Sequence, residues 1–130
     1  MKTMTTVFSI VCTAVLIFTS FAFADSAAIR TMADVTMNLN HFPSDSDKQK
    51  LSAITSSEDS SQSELAVATA IMNIEHHVTA ADKEMLNSII GDESAPADLR
   101  ALAGILVNMN HRPSESDVAE LATIVADSGR

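Results

Sequence analysis

The chain has 130 residues and a formal net charge of −9, from 17 acidic against 8 basic side chains, so it repels phosphate backbones and anionic membrane surfaces. With no tryptophan, no tyrosine and one cysteine, it offers neither a stacking platform for bases nor a disulfide framework. Nucleic acid is excluded as an expected partner.

The first element in chain order is a leader. Lys2 opens a short basic start, Val7 to Phe18 is an apolar run, and Ala22-Phe23-Ala24 before Asp25 has the small-x-small form of a signal-peptidase site. The sequence therefore predicts a signal peptide over residues 1–24. The mature chain, 25–130, is expected in the periplasm or outside the cell, with no membrane attachment after cleavage. Cys12 lies inside the apolar run behind Val11, so a lipid-attachment site is not formed. Beyond the leader the chain has no cysteine, and Phe42 is its one aromatic residue.

From residue 27 onward one sentence is written three times, with a constant period of 35 residues. Ala33/Ala68/Ala103, Asn38/Asn73/Asn108, His41/His76/His111, Asp47/Asp82/Asp117, Leu51/Leu86/Leu121 and Ile54/Ile89/Ile124 are identical in the copies spanning 27–61, 62–96 and 97–130. Each copy reads as two helices. In the last one, Leu99, Leu102, Ala103, Leu106 and Met109 keep a spacing of three or four, which is one face of a helix. Pro96 suits its first turn and Asp98 complements its dipole. Ser114 is then an N-cap, with Asp117 three residues on, and a second helix runs through Val118, Leu121, Ala122 and Val125. Ser44 with Asp47, and Thr79 with Asp82, repeat the signal. Because aspartate replaces the glutamate or glutamine of a capping box, the N-cap bond is expected without its reciprocal partner.

The corners are short, and Pro43 and Pro113 forbid a continuous helix through two of them; Val78 leaves the middle corner the least specified. Residues 56–61 and 91–96 are polar, breaker-rich links, with Gly91 placed as a C-cap. The predicted fold is all-α: three 35-residue helical hairpins stacked as a short α-solenoid, or closed into a six-helix bundle. A single hairpin cannot bury its apolar faces, and three copies are too few to display a superhelix. In length the hairpin is similar to tetratricopeptide-like repeats, but the aromatic positions of that family are absent, so the likeness is one of architecture.

The triply written His41, His76 and His111 are the first candidates for a site. A structural reading puts each at a helix C-terminus, complementing carbonyls and paired with the aspartate six residues on, Asp47, Asp82 and Asp117. A functional reading makes them, with His77, a stripe along one edge that binds metal or responds to pH. In a stack with helices about 8–10 Å apart, the three are not expected to share one ion, whose bonds to nitrogen are about 2 Å. Met37 with His41 and Met72 with His76 stand four apart, a thioether–imidazole pair suited to Cu(I). The third copy has Val107 in the methionine place, so the methionines are expected in the core and no tight metal site or cofactor is expected. Asn38, Asn73 and Asn108 are poor helix-interior residues, read as a polar ladder fixing the stacking register or as a ligand-facing stripe. Asp45-Ser46-Asp47 lacks the glycine and terminal glutamate of a calcium loop.

Neither a nucleophile elbow nor a glycine-rich phosphate loop occurs, so the chain is not expected to be an enzyme. The expected function is that of an exported acidic helical-repeat protein acting as an interaction module, its partner a protein or peptide with a basic surface. The alternative is a metal-handling or stress-buffering protein using the Met/His pairs.

Overall fold

A computed structural model of the protein describes residues 21–127, with side chains from residue 27 onward. It consists of six helices, α1 Phe21–Met37, α2 Asp45–Thr55, α3 Gln62–Met72, α4 Ala80–Ile90, α5 Ala97–Asn108 and α6 Glu115–Asp127. Each odd-numbered helix forms a hairpin with the even-numbered helix after it. Most of the expected leader falls outside the described residues, and a chain cut after Ala24 begins inside α1. Among the described residues no helix is long and apolar enough to cross a membrane.

The even helices start where the caps direct. Ser44, Thr79 and Ser114 each accept the backbone N–H of the aspartate three residues on. The aspartates do more than the sequence suggested. Asp117 also takes the Ser114 N–H at 2.9 Å, completing a reciprocal pair with a shorter side chain than the usual glutamate. Asp47 and Asp82 accept the cap hydroxyls, at 2.6 and 2.7 Å. A complete capping box stands at the head of α3, where Ser61 N–H donates to Glu64 Oε2 at 2.7 Å and Glu64 N–H to Ser61 Oγ at 3.2 Å. It hides in a polar run that reads from sequence as a turn. Gly91 occupies the C-cap of α4 with an ordinary right-handed φ of −81°, so its conformational freedom is not used there.

The buried residues repeat with the sequence. On the odd helices, Met32/Val67/Leu102, Ala33/Ala68/Ala103, Val35/Ala70/Ile105 and Thr36/Ile71/Leu106 are covered, and Leu39/Ile74/Met109 anchor the corners below them. The even helices contribute the narrower stripe Leu51/Leu86/Leu121 and Ile54/Ile89/Ile124. Three polar side chains are buried, Asp82 at the head of α4 and two on the odd helices. Thr36 returns its hydroxyl to the Met32 carbonyl at 2.7 Å, and Glu64, standing where the other copies have Ile29 and Leu99, is held in its capping box.

The arrangement of the hairpins decides between the two predicted architectures. The helices α1, α3 and α5 touch one another round a central axis, while α2 packs on α3, α4 on α5 and α6 on α1. The last of these contacts joins the third repeat to the first. The array is a closed six-helix bundle with a pseudo-threefold axis, because the apolar faces of the two end repeats cover each other instead of facing water.

Candidate functional site: the histidine pole

All three hairpin corners lie at one end of the axis. There α1, α3 and α5 stop, and their last carbonyls are capped locally. Asn38 Nδ2 donates to the Asp34 carbonyl at 2.8 Å and Asn108 Nδ2 to the Gly104 carbonyl at 2.9 Å. Asn73 reaches instead to Asp82 Oδ2 of its own hairpin, at 3.2 Å. None of these bonds crosses between hairpins. The repeated asparagine is therefore a terminator of its own helix or hairpin, not the register ladder the spacing suggested.

Register is carried by the histidine backbones. His41, His76 and His111 have φ of 72°, 99° and 67°, the only positive values among the described residues. Each donates its N–H to the carbonyl of another in a closed ring: His41 to His111 at 2.9 Å, His76 to His41 at 2.8 Å and His111 to His76 at 2.8 Å. One bond type thus joins repeat one to two, two to three and three back to one. The imidazoles follow their backbones onto the axis. Their ring centres are 5.3, 5.4 and 5.3 Å apart, the His41 ring meeting each neighbour edge to face and the other two tilted by 56°. All three residues are exposed at this pole.

This overturns the expected stripe of histidines one helix spacing apart. In a linear stack equivalent residues are separated by the full width of a hairpin, whereas closure brings them to a common axis and that separation collapses. The expected histidine–aspartate pairs are also absent among the described residues. Asp47 is engaged by Ser44 and Lys50, Asp82 by Thr79 and Asn73, and Asp117 by Ser114. The hydrogen bond from the Ser44 hydroxyl, chiefly, holds the Asp47 carboxyl below its usual range. A cap and a histidine compete for the same carboxylate, and the nearer cap wins.

The imidazoles have other partners, which identity across the copies did not reveal. His41 Nδ1 lies 2.8 Å from Asn40 Oδ1, and His111 Nδ1 lies 2.6 Å from Asn110 Oδ1. An amide oxygen only accepts, so in both rings Nδ1 is the donor, and in the neutral imidazole the lone pair then lies on Nε2. The middle copy has Glu75 at that position, which broke the pattern to the eye.

Met37 and Met72 pack against the core but are only partly buried, at its edge and not inside it as expected. Each is the last residue of its helix, so the helical spacing assumed for the Met/His pairs does not extend to the histidine. Round the pole, Phe42, His77 and Arg112 occupy equivalent rim positions, and the Phe42 ring is 61% exposed. Two equivalent notches open below the rim. One of about 480 Å³ lies between Phe42, Lys48 and the segment from Met72 to His76, the other, about 450 Å³, between Met37, Leu39 and the third corner. As the rings stand, edge to face, no group of three histidine, cysteine, aspartate or glutamate side chains among the described residues is arranged to hold a metal ion.

No protein-family model, curated protein or solved structure matches the chain.

Proposed function

We propose that this chain is an exported binding protein whose working surface is the histidine pole, and that it acts by holding a ligand there. The observation that carries this reading is the placement of three exposed imidazoles at positive φ on one axis. A left-handed conformation costs a non-glycine residue about 1–3 kcal/mol, and glycine would close the same backbone ring without that strain. A corner selected for stability alone has no use for three strained imidazoles. Strain of this kind gathers at ligand clamps and switches. Catalysis has no comparable support, since the hydroxyls of Ser44, Thr79 and Ser114 are bonded to carboxylates. Export rests on the leader at residues 1–24, and the acidic exterior suits a basic protein segment as a further partner.

The test is a thermal-shift panel of divalent metals, oxyanions and basic peptides. It is run on the exported chain and on a variant carrying His41→Gly, His76→Gly and His111→Gly. Glycine relieves the φ strain, so the variant is expected to stay folded by circular dichroism. A ligand that raises the melting midpoint of the native chain and not of the variant supports the pole as the site. Ligands that shift both equally, or a panel without effect on either, would remove it.

A further inference from the structure

Resting on the pole as the binding surface, we infer that its ligand is a divalent transition-metal ion held by the Nε2 atoms of His41, His76 and His111, with the outward position left open. Three features of the pole converge on this. The first is spacing. A metal–nitrogen bond of about 2 Å puts each imidazole centre about 3 Å from the ion and the centres about 5 Å from one another. The observed separations of 5.3–5.4 Å have that size; their equality follows from the pseudo-threefold axis, and it is the length of the side that matches an ion at the centre.

The second feature is the proton on Nδ1. A ligating histidine characteristically donates its other ring N–H to an oxygen, which fixes the tautomer and raises the basicity of the ligating nitrogen. His41 and His111 already have that partner in Asn40 and Asn110. Nothing in a closed corner calls for it. The third is access and charge: the rings are exposed on a molecule with a net charge of −9, which raises the local concentration of cations.

Occupancy requires the rings to leave their edge-to-face packing and turn about χ2 until the three lone pairs meet. That torsion is broad for histidine, and the exposed side chains of Asn40 and Asn110 must turn with the rings to keep Nδ1 bonded. The backbone ring stays in place and keeps the three Cα atoms at their spacing. Neutral imidazole is a borderline donor, suited to Cu²⁺, Ni²⁺ and Zn²⁺ in the order of the divalent series and not to Ca²⁺ or Mg²⁺. Three protein ligands with an exposed outward position leave room for water or a transfer partner.

The experiment is titration of the untagged exported chain with Zn²⁺ by calorimetry, with Co²⁺ absorption as a report of coordination number. One ion per chain is expected, with a four-coordinate cobalt spectrum. His76→Asn and His111→Asn, chosen because asparagine tolerates the left-handed region, are each expected to weaken binding by about tenfold or more. Asn110→Ala should weaken it by about tenfold with the melting midpoint of the free protein little changed, which a merely structural role would not produce. His77→Asn should leave affinity unchanged. Binding that survives the triple glycine variant, or that is lost with His77 alone, would overturn the inference. If Zn²⁺, Cu²⁺ and Ni²⁺ all fail while another ligand still shifts the native chain and not the variant, the metal is wrong and the pole stands. If no ligand separates the two proteins, both fall.

Discussion

At the residue scale the unusual groups are the three histidines, because their backbone and side-chain preferences conflict. The left-handed region is least costly for glycine and asparagine and worst for a β-branched residue. His111→Gly is therefore expected to change unfolding free energy by no more than about 1 kcal/mol, relief of strain opposing lost ring contact and greater freedom of the unfolded chain. His111→Val should cost about 2 kcal/mol or more, since it adds β-branching at a φ of 67° and keeps no ring. Urea denaturation of both variants checks this. If the two lose equal stability, the imidazole ring and not the backbone is what the corner needs.

Asp47 gives a pH-dependent counterpart. Its folded pKa is lowered from 3.8, first by the Ser44 hydroxyl, so the unfolded state binds the proton more readily. Its contribution is fully present above the unfolded pKa and is lost as pH falls through the folded one. Below about pH 4, then, Asp47→Asn and the native chain should converge in stability, the native chain being the more stable near neutrality. Melting midpoints across pH 2–7 measure it, and a constant gap would show that the carboxylate charge is not what the cap uses.

At the scale of the element, the even helices are short, with 11, 11 and 13 residues in α2, α4 and α6, lengths that are marginal for an isolated helix in water. Their order comes from capping and from two buried apolar residues per helix, Leu51 and Ile54 and their equivalents. Ser61→Ala, which opens the capping box of α3, is expected to cost about 1 kcal/mol, since the amides of Ser61 and Glu64 are satisfied together. In the opposite direction, Gly104 sits inside α5 where an added Cβ meets nothing within 4 Å. Gly104→Ala should stabilise the protein by about 0.5–1 kcal/mol through helix propensity alone. Chemical denaturation reads both. A loss of stability in Gly104→Ala would mean that the α5 surface packs against something.

At the scale of the whole molecule, closure means that each repeat has two neighbours. Deleting residues 97–130 strips the covers from both α1 and α4, because α6 packs on the first and α5 on the second. Loss of the cooperative melt is expected, not a proportional decrease, with about 25 cal/mol lost per Å² of apolar area newly wetted. Closure also predicts a permutant. The helix α6 packs on α1 as α2 packs on α3, and Ala27 of α1 is the position equivalent to Gln62 at the head of α3. Joining α6 to that position by a copy of residues 56–61 and opening the chain at 91–96 should preserve the fold and its stability to within about 2 kcal/mol. Circular dichroism and the histidine NMR signals of the permutant decide it. An open array would not survive the same surgery, since its end repeats do not touch.

The period of 35 residues and the three-to-four spacing of apolar residues determined the helical hairpins and nearly all of the core, because those properties are local and every copy reports them again. Ser44, Thr79 and Ser114 announced the even helices for the same reason: a cap acts within one turn. What a period does not contain is the rotation from each copy to the next, and that rotation alone separates a solenoid from a ring. Only the packing of α6 on α1 decided it. The consequence for the candidate site is large, since it converts histidines 35 residues apart into three rings 5.3–5.4 Å apart, hands their expected aspartates to the caps, and makes Asn40 and Asn110 their partners. The repeated histidine was legible in the sequence; its convergence was not, because an axis of symmetry belongs to the assembled hairpins and to no one of them.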